Sequence, residues 1–237
     1  MFSTDNNPHS VAVGDFNNDN HLDIVTANYG TSTASVLLGY GNGSFATQRT
    51  FPTGSYPYSV AVGDFNNDNH LDIVTANYNA HNASVLLGYG NGSFATHKTF
   101  STGSLPYLVA VGDFNNDNQL DIVTANSGSH SVSILLGHNN GTFETQMMFS
   151  TDYTPISVAV GDFNNDNQLD IVTVNVGRNV VSILLGYGNG TFATQMIFSS
   201  GYYQSSVAVG DFNGDSRLDI VGANVLAATA GVFLQIC

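Results

Sequence analysis

The stretch GDFNNDNHLDIV, Gly14 to Val25, decides how the rest of the chain is read. It places three aspartates within nine residues and then runs straight into an apolar segment. The pattern GDFN…D…LDIV begins again at Gly63, Gly112, Gly161 and Gly210, at a strict interval of 49 residues. A fixed period of this size marks a repeat architecture, in which a unit that cannot bury its own apolar face stacks on its neighbours. The repeats begin near residues 11, 60, 109, 158 and 207.

Each period divides into four strands. In the fourth repeat these are Ser157 to Phe163, Leu169 to Val174, Val180 to Gly186 and Phe192 to Ser199, separated by Asn, Asp and Gly turn residues. No segment of helical length carries a 3.6-residue apolar pattern. The runs VAVG, LDIV and ILLG are almost continuously apolar, as expected of strands covered on both faces, and four-stranded blades stacked around an axis meet that requirement. The expectation is an all-β fold: one β-propeller domain over residues 1–237, with five four-stranded blades. Met1 to Thr4 matches Thr50 to Thr53, the end of a fourth strand, whereas Gly231 to Cys237 matches a third strand. The N-terminal strand is therefore expected to close the last blade, with residues 1–10 as closing strand and loop, leaving no exposed sheet edge.

A chain of 237 residues is long enough for a sizeable core, and its composition, 42% hydrophobic but 9% charged with 25 glycines, suits short strands and many turns. The formal charge is −14, and Arg49, Lys98, Arg178 and Arg217 are all it offers to phosphates. Nucleic acid and anionic membrane surfaces are therefore not expected partners. The acidity is local: outside the five Asp clusters the acidic residues are Asp5, Glu144 and Asp152. Such clusters call for a local cation. The single cysteine, Cys237, allows neither an internal disulfide nor a Cys-based zinc site. No apolar run has the length of a membrane helix, so membrane insertion is not expected. The opening MFSTDNNPHS lacks the basic and apolar regions of a signal peptide, so a secreted protein would have had its signal removed.

Aligned by the period, the loops place oxygen donors at positions 1, 3, 5 and 9. These are Asp15, Asn17, Asp19 and Asp23, then Asp64, Asn66, Asp68 and Asp72, then Asp113, Asn115, Asp117 and Asp121. The fourth loop has Asp162, Asn164, Asp166 and Asp170, and the fifth Asp211, Asn213, Asp215 and Asp219. Calcium takes six to eight hard oxygens, and a tight loop supplies alternate side chains plus a backbone carbonyl. Position 7 suits the carbonyl role because its side chain varies: His21, His70, Gln119, Gln168 and Arg217. About five Ca2+ ions, one per repeat, are expected. The loop is not that of an EF-hand, since position 12 is Thr26 and the flanks read as strands.

The pattern DxNxDxxxD after VAVGDF, followed by SVLLGYGNGSF, resembles the FG-GAP or VCBS-type repeat of integrin-α-like β-propellers, over essentially the whole chain. The resemblance implies a calcium-binding propeller and assigns the ligand positions to the residues just named. That family favours Gly at loop positions 4 and 6, where this chain has Asn18, Asn20 and their equivalents, with Gly214 and Ser216 in the last loop. Asn tolerates the left-handed backbone, so the loop can form.

In an antiparallel blade the first-to-second and third-to-fourth connections share one face. That face carries the Asp loops and the near-identical turns around Asn42, Asn91, Asn140 and Asn189. Difference concentrates on the other face, which holds Tyr29, Tyr56, Tyr58, Tyr78, Tyr107, Tyr153, Tyr202 and Tyr203 among Ser, Gly and Asn. Rigid aromatic area beside adaptable hydrogen-bonding groups suits binding of a glycan or an extracellular protein. The same tyrosines, beside the recurring prolines, could instead serve packing between blades. Asn42, Asn91, Asn140 and Asn189 begin Asn-Gly-Ser/Thr sequons, as Asn82 does in Asn-Ala-Ser, and are candidate glycosylation sites.

No GxGxxG before a helix, no GxSxG and no HExxH is present, so an enzyme is the weakest class. The leading expectation is a non-enzymatic, extracellular, calcium-stabilised recognition or adhesion module. The alternative is a structural glycoprotein that polymerises into a fibre by head-to-tail strand exchange, the Met1 to Thr4 strand of one copy completing the last blade of the next.

Overall fold

The computed structural model describes residues 1–200, 204–225 and 228–233. Every regular element in it is a β-strand. The first sheet contains β1 (Pro8–Gly14), β2 (Asp23–Asn28), β3 (Thr33–Leu37) and β4 (Arg49–Pro52). The second contains β5 (Pro57–Gly63), β6 (Asp72–Asn77), β7 (Asn82–Leu86) and β8 (Lys98–Ser101), and the third β9 (Pro106–Gly112), β10 (Asp121–Asn126), β11 (Ser131–Leu135) and β12 (Met147–Ser150). The fourth contains β13 (Pro155–Gly161), β14 (Asp170–Asn175), β15 (Val180–Leu184) and β16 (Met196–Ser199), and the fifth β17 (Gln204–Gly210), β18 (Asp219–Asn224) and β19 (Thr229–Phe233). Each sheet is an antiparallel meander in chain order.

The five sheets and their strand order agree with the repeat period, but strand ends differ from expectation. In the fourth repeat the first strand ends at Gly161 because Asp162 opens the loop. The last begins at Met196, not Phe192. Phe192 makes only an isolated bridge to Gly186, and Gln195 turns inward to accept the Ser182 hydroxyl through Oε1.

The first strands stand side by side, β5 packing on β1, β9 on β5, β13 on β9 and β17 on β13. The core lies in the seams between blades. Val25, Ala27, Val36 and Phe16 of the first blade bury against Val60, Ile73, Leu86 and Phe94 of the second, and the next seams repeat this set 49 residues on. This is why LDIV and its neighbours are apolar on both sides: a central strand faces a blade on each flank.

The fourth-strand pairing expected of Met1 to Thr4 is not formed among the described residues. The fifth sheet has three strands, and Met1 to Thr4 lies outside any strand. Phe2 instead packs edge-on against Phe45 at 5.1 Å, just as Phe51, Phe100 and Phe149 of the fourth strands pack on Phe94, Phe143 and Phe192 of the following blades. Of the expected third strand at Gly231 to Cys237, residues 234–237 fall outside the described residues.

Candidate metal loops and binding face

Each Asp loop is a tight coil of alternating side-chain acceptors. Asp15 Oδ1 accepts the N–H groups of Asn17 and Asp19 at 3.3 and 3.2 Å, and its Oδ2 accepts that of Asn20 at 2.7 Å. Asp19 Oδ1 accepts the His21 N–H at 2.9 Å, and Asn17 Nδ2 donates to Asp19 Oδ2. Asn18 and Asn20 hold φ of 58° and 65°, and positions 4 and 6 are left-handed in all five loops, ending with Gly214 and Ser216. Asn thus takes the backbone role that Gly plays elsewhere.

Position 9 differs from the others. Asp23 is fully buried and accepts two backbone N–H groups, that of Phe16 at 2.8 Å on Oδ2 and that of Gly39 at 2.7 Å on Oδ1. Asp72, Asp121 and Asp170 repeat both bonds. These carboxylates clip the loop to the start of the third-to-fourth connection, a duty that donor spacing does not reveal. Burial pushes Asp23 and Asp170 above the usual carboxylate range and Asp72 and Asp121 up to about 6, against the downward pull of the two N–H bonds. Asp19 moves the other way, held down by the Asn17 amide and the His21 N–H.

Among the described residues no three His, Cys, Asp or Glu side chains converge as a metal-binding group; the exposed carboxylates turn onto loop N–H groups instead. The donor chemistry nevertheless fits a hard divalent cation. Each of the first four loops concentrates three carboxylates and an amide oxygen, and among the described residues no Lys or Arg pairs with them. The His21 and His70 imidazoles approach, 3.2 Å from Asp19 and Asp68 respectively. A bound Ca2+ would be held by Asp15, Asn17, Asp19 and Asp23 and their equivalents, and would offset charge that the chain leaves uncompensated.

The loops and the Asn-Gly turns lie together. The N–H groups of Gly92, Gly141 and Gly190 donate to the carbonyls of Phe16, Phe65 and Phe114 in the preceding blade's Asp loop. Asn42, Asn91, Asn140 and Asn189 are exposed at these turns, each accepting the N–H and hydroxyl of the Ser or Thr two residues on. Asn82 sits differently, half-buried in β7 with Oδ1 accepting from Asn77 Nδ2 at 2.7 Å.

At the opposite end the second-to-third connections meet the fourth-to-first ones, as in the Tyr78 N–H to Tyr56 carbonyl bond. Five of the candidate tyrosines form one aromatic group there. Tyr29 packs on Tyr56 and Tyr58 at 4.8 and 5.8 Å; Tyr58 packs on Tyr78 and Tyr107 at 6.0 and 4.0 Å. His9 joins at 4.3 Å from Tyr58 and 4.9 Å from Tyr29. Sequence reasoning missed His9; its place just before a VAVG strand, where Tyr58 and Tyr107 stand in the next repeats, was the available signal. Tyr153 lies apart, stacked with His130 and under Arg178, whose Nε is 3.5 Å from Asp152. Tyr202 and Tyr203 lie outside the described residues.

Beneath this face runs a buried polar network that sequence reasoning also missed. In the first blade Thr26 donates to Asn28, and Asn28 Nδ2 donates to Ser35 and Thr33. In the second and third blades the equivalent Ser84 and Ser133 hydroxyls accept the N–H of Gly54 and Gly103, tying the incoming loop down.

The model of the FG-GAP-like repeat matches residues 15–75, 64–124, 113–173 and 168–222. No match is found among curated proteins. Among solved structures, the chain is similar to a functionally unknown protein from Desulfotomaculum acetoxidans, with a TM-score of 0.68 and 13% identity over 99% of this chain and 71% of that one. It is also similar to an Agrocybe aegerita lectin that recognises non-reducing terminal N-acetylglucosamine, with a TM-score of 0.62 and 18% identity over 90% and 60% of the two chains. A third, from Bacteroides uniformis, is described as a candidate 6-phosphogluconolactonase, with a TM-score of 0.64 and 14% identity over 98% and 72%. At these identities the likeness concerns the fold.

Proposed function

The chain belongs to the family of FG-GAP-like repeats, and from that premise we propose a non-enzymatic, extracellular, calcium-stabilised recognition module. Its ligand is a glycan or an extracellular protein, taken by the face that carries the tyrosines. The observation that carries this reading is the continuous group of His9, Tyr29, Tyr56, Tyr58 and Tyr107 on the face where the repeats differ, opposite the face where they agree. Aromatic planes beside hydroxyl and amide groups suit the apolar faces and hydroxyls of sugars. A lectin of similar fold recognises non-reducing terminal N-acetylglucosamine, which supports a sugar as the class of ligand.

Calcium belongs to the scaffold in this reading, with about five ions in the Asp loops, and extracellular calcium is abundant enough to fill weak sites. Asn42, Asn91, Asn140 and Asn189 are the proposed glycan attachment points, exposed and remote from the tyrosine face.

The test is a glycan and protein binding screen in calcium, repeated with Tyr56→Ala and Tyr29→Ala. Loss of a ligand at least tenfold, with an unchanged melting temperature, supports the reading. Full binding by both variants places the site elsewhere.

A further inference from the structure

Tyr58 lies in β5 and Tyr107 in β9, at one repeat position on the first strands of the second and third blades. The other repeats carry His9, Ile156 and Ser205 there, so this seam sets tyrosine against tyrosine. The two hydroxyls are hydrogen-bonded to each other, and the ring centroids are 4.0 Å apart at an interplanar angle of 38°. The backbone holds the pair in place. The Val109 N–H donates to Ser59 Oγ at 3.2 Å, tying the residue after Tyr58 to the residue two beyond Tyr107. Both rings are half-buried. The neighbouring tyrosine pairs are wider, with centroids 4.8 Å apart for Tyr29 and Tyr56, 6.0 Å for Tyr58 and Tyr78, and 6.1 Å for Tyr78 and Tyr107.

A phenol that loses one electron and its hydroxyl proton becomes a phenoxyl radical, with the unpaired electron shared between the oxygen and the two ring carbons ortho to it. Two such radicals join ortho carbon to ortho carbon. Each joined carbon then releases its hydrogen as a proton while the oxygen of that ring takes one up, and both phenols are restored. The product carries its hydroxyls on the carbons that flank the new bond, close enough to hydrogen-bond. Two hydroxyls already bonded to each other therefore bring the matching ortho carbons side by side before any radical forms, which is the advantage of a held geometry over a random encounter.

We propose that Tyr58 and Tyr107 are a modification site, coupled Cε to Cε into a dityrosine by a one-electron oxidant of the class that a haem peroxidase generates from hydrogen peroxide. One carbon–carbon bond replaces two carbon–hydrogen bonds. The two electrons and two protons given up reduce one hydrogen peroxide to two waters. The product staples the second blade to the third and closes a loop spanning 49 residues of chain, which lowers the entropy of the unfolded state. A chain with one cysteine has no internal disulfide with which to do this. The inference goes beyond the recognition reading and needs neither calcium nor a ligand.

The experiment is treatment of the dilute, folded full chain with peroxidase and limiting hydrogen peroxide, read by dityrosine fluorescence and by mapping of cross-linked peptides. The principal dityrosine should lie within a monomer and join the peptides of Tyr58 and Tyr107. It should disappear in Tyr58→Phe and in Tyr107→Phe, each with parental circular dichroism, and the preference for this pair should vanish in urea. Accessibility alone predicts a different product, because Tyr40, Tyr89 and Tyr187 are 58–63% exposed on the opposite face and would couple first, chain to chain. Principal coupling at those residues, or an intrachain yield unchanged in both Phe variants, overturns the proposal. A small photo-oxidised metal complex serves as the second oxidant where the peroxidase fails to reach the rings, and a pair left uncoupled by both overturns it as well.

Discussion

Gly39 lies sixteen residues beyond Asp23, and its N–H reaches back across two strands to donate to Asp23 Oδ1 at 2.7 Å. With the Phe16 N–H on the other oxygen, a single buried carboxylate ties the start of its own loop to the start of the third-to-fourth connection.

Asp121→Ala, which removes the same clip from the third blade, should destabilise the chelated protein by about 2–5 kcal/mol, because two buried N–H groups lose their acceptor. Asp121→Asn should cost less, since one carbonyl oxygen survives. Urea denaturation in chelator measures both. An Ala variant within about 0.5 kcal/mol of the parent would show that water or a neighbour takes over the two donors.

Acid should stabilise the chelated protein before it harms it. Asp72 and Asp121 have folded values near 6 against an ordinary 3.8, so their native forms hold the proton more tightly than the unfolded chain does. Stability then rises as pH falls from 7 through about 6 and levels off near 3.8. With calcium present the slope should reverse, because protons and the ion compete for the same oxygens. Melting temperatures at pH 7 and pH 5, with and without calcium, give the two signs.

Chelation at neutral pH should lower the melting temperature sharply. At about 100 times its dissociation constant each ion adds roughly 2.7 kcal/mol, so several sites together rival the ~5–15 kcal/mol of a typical domain. Calorimetric titration should count about five ions. No binding heat and no thermal shift in millimolar calcium would remove calcium from the account.

Gly63→Ala and Gly210→Ala are the same substitution at the same repeat position. The first meets Leu120 Cδ1 at 2.5 Å and should cost about 1–2 kcal/mol; the second meets nothing but its own Phe212 ring. In dilute monomer Gly210→Ala should fall within about 0.5 kcal/mol of the parent. Equal penalties there would mean that the ring closes within one chain.

Asn42 should deamidate faster than Asn91, Asn140 or Asn189 in unglycosylated protein. In an Asn-Gly pair the glycine nitrogen attacks the Asn Cγ, ammonia leaves, and water opens the succinimide. The Gly92, Gly141 and Gly190 nitrogens are held by Phe carbonyls, whereas that of Gly43 is free among the described residues. Peptide mapping after incubation at pH 8 reads the order directly, and a uniform rate would show that the bond offers no protection.

The blade count, the strand order and the two unlike faces were legible because the 49-residue period puts equivalent residues in register, and the apolar runs then mark central strands. The recurring Asp and Asn positions of the Asp loops could be aligned for the same reason. The second duty of Asp23 was not, because Gly39 is remote in sequence and the bond depends on how β2 and β3 register. Nor was the Thr26–Asn28–Ser35 network, since short polar residues inside a strand read as surface until a neighbouring blade covers them. The end of the chain was misleading in a particular way. Sequence phase identifies Met1 to Thr4 with a fourth strand, and Phe2 does occupy the matching place on Phe45, but phase says nothing about whether the last blade comes round to meet it.

The likeness of the four internal seams has a genetic corollary. A crossover in the gene between two copies of the repeat adds or removes one whole blade, and the new junction rebuilds a Leu-on-Gly contact like the old one. Copy number can therefore drift while every surviving interface is preserved, so that the reach of the molecule, unlike its chemistry, is open to rapid inheritance.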